Sequence, residues 1–185
     1  MASVQPRPSG EPGALLHLEE IEIEILRSLV RQLVDFVGVP ADPDADPLAV
    51  MVGIDPDAAP SEDPALLRLL PNAFPDDDEA SSEFRRFTER ELRDAKVRNA
   101  GAVGQSLEGG PGVLEIDADL VPAWLGFLND TRLIIGARLD VSEDNHEELA
   151  ALPDDDPRAA LFGMYGWLTY LQESMVQLML GEELD

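Results

Sequence analysis

The most constraining feature of this sequence is a punctuated apolar repeat near its carboxyl end. Asp156 can cap a helix, Pro157 suits its first turn and Gly181 can end it. Between them, apolar side chains recur at alternating spacings of three and four residues: Leu161, Met164, Leu168, Leu171, Met175 and Leu178. This pattern predicts a helix with a packing face that belongs to the core. Its coiled-coil regularity leaves one alternative, a homodimer formed through Leu161, Leu168, Leu171 and Leu178.

Three further segments have helical periodicity, and two short runs are typical of strands. The helices are predicted at residues 19–37, 82–103 and 118–137, the last with Asp117 as its cap. The strands are predicted at residues 14–18 and 113–117, where they could pair as a small two-stranded element. We therefore expect a mainly α fold, a compact helical domain of four or more helices with a small β element and long acidic loops.

Composition divides the chain into a tail, a domain and two loops. Residues 1–13 are rich in Pro, Gly and Ser, which favours a disordered tail, and residues 14–181 are predicted to form a single helical domain. Residues 39–64 and 140–156 are predicted to be acidic, Pro-punctuated loops. No run of 18 apolar residues and no leader pattern is present, so we expect a cytoplasmic protein.

The sequence lacks the usual signatures of an enzyme. There is no cysteine, which excludes disulfides, thiolate metal sites and a cysteine nucleophile. His17 and His146 stand outside any catalytic motif, and no Gly-x-Ser-x-Gly elbow occurs. Gly-rich segments lack the context of a phosphate loop. We therefore predict a protein that is not an enzyme and has no cofactor.

One acidic run approaches a calcium-binding pattern and then departs from it. Asp42, Asp44 and Asp46 alternate as calcium ligands do. Pro47 then occupies the place of the turn glycine, and Gly53 stands where a bidentate Glu is needed. We therefore predict no metal site.

Positive charge is concentrated in one stretch of a chain whose formal net charge is −25. Between residues 85 and 98 there are three acidic residues and six of the 13 basic ones. The basic residues are Arg85, Arg86, Arg90, Arg93, Lys96 and Arg98. On one continuous helix most of these cations share a face, opposite Phe84, Phe87, Leu92 and Ala95. A capping-box pattern at Thr88 and Glu91 could instead break the helix and scatter that face.

Two interpretations of the basic stretch remain open at this point. The arginines could bind an acidic partner, or they could pair with the acidic loops of the same chain. DNA binding is disfavoured because the overall charge repels a polyanion, so a protein partner is the better prediction.

Several strings in the chain resemble an actinobacterial family described as a domain of unknown function, number 2017. The resemblance covers about residues 14–180, and its most specific part is Leu-Asn-Asp-x-Arg-Leu-x-x-Gly-x-Arg-Leu at residues 128–139. The family is similar to an oxidative-stress transcriptional regulator. The resemblance thus implies a non-catalytic role in stress-responsive transcription, through contact with a sigma factor or RNA polymerase. A different interaction module, such as an adaptor of a protease system, is the alternative.

The resemblance also marks one departure and one set of candidate residues. Redox control in that regulator is attributed to a closely spaced cysteine pair, whereas this chain has no cysteine and so no thiol switch of its own. Within the string, we expect structural or binding roles for Asn129, Asp130, Arg132 and Arg138, with an Asp130–Arg pair inside the fold.

Overall fold

A computed structural model describes residues 2–8, 11–38 and 59–181 of the chain. Within these ranges the fold is mainly α with a small antiparallel sheet, as the sequence predicts. The elements follow in this order: β1 (Ser3–Pro6), β2 (Gly13–Leu18), α1 (Glu20–Val37), α2 (Pro64–Leu69), α3 (Asp78–Ser106), a 3-10 turn (Leu107–Gly109), β3 (Gly112–Asp117), α4 (Val121–Leu139), α5 (His146–Ala150) and α6 (Pro157–Leu180).

The sheet has the strand order β1-β2-β3, with antiparallel pairing throughout. The predicted pairing of the two short strands is confirmed, and their register sets Leu16 opposite Leu114. The expectation of disorder is wrong for Ser3–Pro6, which pair with β2 as an edge strand. The sequence of this strand gives a weak prediction of β structure, because it has only four residues and only Val4 is buried. Arg7 reinforces the position by donating to Asp117 across the sheet (2.7 Å).

Helix ends follow the capping chemistry of the sequence in most places. The Asp156 carboxylate accepts from the Arg158 amide, Pro157 is the first helical residue of α6, and Gly181 ends it in the left-handed region (φ 73°). The predicted cap of α4 is wrong, because this helix begins at Val121 without a side-chain cap. Asp117 lies four residues earlier, and its carboxylate is engaged by Arg7.

The core is built around α4, which packs against α2, α3 and α6, while α1 packs against α3. Trp124, Phe127 and Leu128 of α4 are fully buried. In α6, Leu168 and Leu171 are also 0% exposed, and Leu161 and Leu178 pack at the edge of the same core. The apolar repeat of α6 is therefore used inside the chain. A homodimer through these four leucines would compete with the core for the same side chains.

The two predicted acidic loops differ in what the structure shows. Residues 39–58 of the first lie outside the described residues, and α2 begins within its last positions at Pro64. The second contains the short helix α5. Among the helices of the described ranges, none is both long and apolar enough to cross a membrane.

Candidate interaction surface

The basic stretch lies in the middle of α3, which is a single helix. Asp77 caps it by accepting from the Ala80 amide (2.9 Å). The break that the sequence allows at Thr88 does not occur, because the helix continues to Ser106. The Thr88 hydroxyl donates to the carbonyl of Phe84 one turn earlier (2.9 Å) instead of capping a new helix.

Arg85 is directed into the protein rather than into solvent. Its side chain is 6% exposed. The guanidinium donates to the Leu70 carbonyl (3.1 Å) and to Asn72 Oδ1 (2.9 Å), and it forms an ion pair with Glu89. This group therefore satisfies polar atoms in the segment that joins α2 to α3, and it is not available to a partner.

Two more of the predicted partner-binding cations are also engaged inside the fold. Glu89 bridges from Arg85 to Arg93 (2.7 Å), and Arg93 donates to the Val37 carbonyl at the end of α1 (2.9 Å). Lys96 pairs with Asp130 of α4 (2.7 Å). The expectation of one continuous solvent-facing basic surface is therefore wrong. Half of its members hold α3 to the neighbouring elements, since these elements present carbonyl and carboxylate oxygens at those positions.

The other three cations keep their outward position. Arg86 and Arg98 are exposed and Arg90 is half-buried. Within residues 2–8, 11–38 and 59–181, none of the three forms a hydrogen bond or an ion pair. The alternative in which they pair with acidic loops of the same chain finds no support in that part of the molecule, and partner binding by these three stays a prediction.

The apolar side of α3 also faces outward, in contrast to the expectation from its helical pattern. Phe84, Phe87 and Leu92 are about half exposed, with Phe87 highest at 56%. Phe74, which precedes the helix, is exposed beside them and meets the Phe84 ring edge-on, with centroids 6.0 Å apart. We call Phe74, Phe84, Phe87 and Leu92, together with Arg86 and Arg90, the α3 surface.

Residues of the family string at positions 128–139 form polar contacts that join α4 to neighbouring elements. Asp130 is buried and pairs with Lys96, so the expected internal ion pair exists but its cation is a lysine and not an arginine. Burial raises the pKa of Asp130. The hydrogen bond and the charge of Lys96, with a hydrogen bond from Asn129, oppose that change. This carboxylate thus joins α3 to α4.

The two arginines of the string join α4 to other elements. Arg132 donates to Gln172 Oε1 in α6 (2.9 Å), and its guanidinium lies over the Tyr165 ring, 5.6 Å from the centroid. Arg138 pairs with Asp63 before α2 (2.7 Å) and lies over the Phe36 ring. The side-chain hydrogen bond from Arg138 lowers the pKa of Asp63. Both arginines therefore have structural contacts, and Arg132 also lines a pocket considered below.

A groove of about 570 Å³ lies between α1, α4 and α6, and its walls are mainly apolar. Thr131 and Arg138 are among its polar lining residues. The Thr131 hydroxyl donates to the Phe127 carbonyl, and Arg138 forms an ion pair with Asp63. His146 lies elsewhere, packed edge-on against Phe162. Over the described ranges, no group of three or more potential metal ligands comes together.

Comparison with known proteins identifies a family and several named relatives. A family model described as a domain of unknown function (DUF2017) matches residues 1–179. A Mycobacterium leprae (strain TN) protein, provisionally named oxidative stress regulator AosR, is 32% identical over 170 residues, which cover 84% of this chain and 77% of that protein. No solved structure matches.

Two further relatives carry the same name without qualification. They are the oxidative stress regulator AosR proteins of Mycobacterium bovis (strain ATCC BAA-935 / AF2122/97) and Mycobacterium tuberculosis (strain ATCC 25618 / H37Rv). Each is 34% identical over 132 residues, which cover 64% of this chain. The match spans 59% of the length of these two relatives.

Proposed function

The chain belongs to the DUF2017 family, and from that premise we propose that it is a non-catalytic regulatory protein of the stress response. In this proposal it acts on transcription by contact with a sigma factor or RNA polymerase. The names of the mycobacterial relatives support the regulatory role in stress. The α3 surface supports contact with a protein as the mode of action.

The observation that carries the proposal is the exposure of three aromatic rings beside two cations that have no described partner. Exposed apolar groups of this size cost free energy in water, and clustering of such groups marks interaction sites. Aromatic and arginine side chains are also the residue types enriched in the centres of protein interfaces. Arg90 lies three residues after Phe87, so both lie close together on the helix surface.

Charge favours a protein partner over DNA. The chain has a formal net charge of −25, and three of the six cations in the basic stretch are engaged inside the fold. Three outward arginines provide few phosphate contacts, whereas specific DNA binding usually relies on many. An acidic segment with apolar side chains would complement both the arginines and the rings of the α3 surface.

Oxidant sensing through its own thiols has no place in this proposal, because the chain contains no cysteine. The partner-binding part of the role is therefore separable from sensing.

A matched pair of variants tests the α3 surface. In the first, Arg86→Glu and Phe87→Ser change two exposed positions of α3. In the second, Arg31→Glu and Ile21→Ser make comparable changes at exposed positions of α1. We expect the α3 variant to lose at least tenfold in affinity for RNA polymerase or a sigma factor of the native host, measured by surface plasmon resonance. The α1 variant should bind as the unchanged protein does.

Circular dichroism should show both variants folded, since all four positions are exposed. Equal binding by the folded α3 variant would exclude this surface. Absence of binding by the unchanged protein to every polymerase preparation would exclude the proposed partner, and co-purification of protease components in its place would favour the adaptor role.

A further inference from the structure

A small open pocket between α2, α4 and α6 is lined by two arginines and by no acidic residue. Its volume is about 170 Å³, and it is lined by Arg68, Arg132, Leu133, Gly136, Ala137, Val141 and Tyr165. We propose that this pocket binds the phosphate group of a small molecule between the guanidinium groups of Arg68 and Arg132.

The first argument is that the two cations face one pocket without a counter-ion. No Asp or Glu is among its lining residues, in a chain with 38 acidic and 13 basic side chains. Arg68 is exposed and forms no hydrogen bond or ion pair with any residue in the described ranges. Arg132 donates to the neutral amide of Gln172, and its Nε is buried without a partner.

Several other arginines of the same structure have a counter-ion, in contrast to Arg68 and Arg132. Arg7, Arg85, Arg93, Arg138 and Arg158 each form an ion pair with a carboxylate. An oxyanion bound in the pocket would supply the counter-charge that both arginines lack.

The shape of the pocket depends on close packing of α4 against α6. The Tyr165 ring supports the Arg132 guanidinium from one side, which restricts its orientation. At Gly136, an added Cβ atom would lie 3.4 Å from Tyr165 Cε2, in ordinary van der Waals contact, so α4 and the ring lie close together there. Arg132 and Gly136 both belong to the string at residues 128–139, which thereby acquires a role beyond helix packing.

Size and charge together indicate a phosphate group. The pocket is smaller than the roughly 300–1,000 Å³ typical of sites for drug-sized ligands, so it suits a compact group rather than a large apolar one. Guanidinium groups bind phosphate through paired N–H donors, and two of them match a group with about two negative charges.

Binding can be tested on the purified chain without any protein partner, so its outcome is independent of the proposed function. Isothermal titration calorimetry with inorganic phosphate and with phosphoserine, at constant ionic strength set by chloride, separates free phosphate from a phosphomonoester as the source. We expect saturable binding of at least one probe with a stoichiometry near one. Thermal unfolding should shift upward with the same probe and not with chloride.

Variants decide whether the binding belongs to the pocket. Arg68→Gln changes an exposed side chain and should keep the fold while weakening binding at least tenfold. Arg132→Gln should weaken binding as well. Arg31→Gln, at an exposed position of α1, serves as the control with unchanged affinity. Equal affinity in the folded Arg68→Gln variant, or no saturable binding of either probe, would overturn the proposal.

Discussion

Helices α3 and α6 both carry apolar side chains at helical spacing. Those of α6 point into the core, whereas Phe84, Phe87 and Leu92 of α3 point toward solvent. In α6, Leu168 and Leu171 are fully buried against the core. In α3, Phe84 and Phe87 face solvent, whereas Arg85 is buried. The difference lies in the neighbours. Helix α6 is covered by α4 and the sheet, whereas the cations of α3 meet the carbonyl oxygens of Leu70 and Val37 and the carboxylate of Asp130. A helical pattern thus identifies two faces, and the surroundings decide which of them is inside.

The strongest test of this contrast removes the carboxylate that allows arginines to lie inside. Glu89→Ala leaves Arg85 and Arg93 without their shared counter-ion at a buried position. Breaking such a network by removing one member typically costs about 3–5 kcal/mol, so we expect a loss of that size in the free energy of unfolding, measured by urea denaturation.

Glu91→Ala is the matched control for Glu89→Ala, since Glu91 is exposed on the same helix, and its effect should stay within about 0.5 kcal/mol. If both substitutions had the same small effect, the internal role assigned to the α3 cations would be wrong.

A second pair of substitutions compares the apolar faces directly. Leu168→Ala in α6 should cost about 2–5 kcal/mol, because it removes a fully buried side chain and leaves a cavity. Phe87→Ala in α3 should change the free energy of unfolding by less than about 0.5 kcal/mol, because the ring is more than half exposed. Chemical denaturation of the two variants checks this difference, and a large loss for Phe87→Ala would show that the ring is part of the core.

The smallest expected effect concerns Asp130, at the junction of α3 and α4. Burial raises its pKa in the folded protein above the ordinary value of 3.8. From about pH 4 up to the raised pKa, the folded state therefore keeps a proton that the unfolded state has lost. In that window the contribution of Asp130 to the free energy of unfolding decreases as the pH rises. Above the raised pKa this contribution no longer changes with pH.

Asp130→Asn removes this dependence while it conserves the volume of the side chain. We expect the stability difference between the unchanged protein and the variant to decline with rising pH through that window. Thermal unfolding of both proteins across the acid range measures it. A difference that is flat, or that grows with pH, would contradict the assigned direction of the pKa change.

The sequence predicted the elements better than it predicted their orientation. The helix punctuated by Asp156, Pro157 and Gly181 was predicted to the residue, because caps and stop signals are local chemistry. The short strand Ser3–Pro6 was missed, because its stability comes from pairing with β2 and from the long-range contact of Arg7. Asp117 has the position of a helix cap in the sequence, and its actual partner, Arg7, is too distant in sequence for that contact to be predicted.

The candidate sites show the same limit. The basic stretch was visible as a local excess of charge, but its division into internal and outward cations depends on atoms as distant in sequence as Val37 and Asp130. The pocket with Arg68 and Arg132 had no signal beyond membership of Arg132 in the family string. Its two arginines are 64 residues apart, so only the packing of α2 against α4 brings them together.

By itself, the sequence determined the mainly helical class, the ends of α6, the absence of thiol chemistry and the concentration of basic residues in one segment. These properties follow from local periodicity, capping and composition, which need no knowledge of neighbours. The tertiary structure alone decided that α3 turns three cations inward and its aromatic rings outward. The physical reason is that a buried charge requires a specific partner, and the partners of Arg93 and Lys96 include groups on other helices.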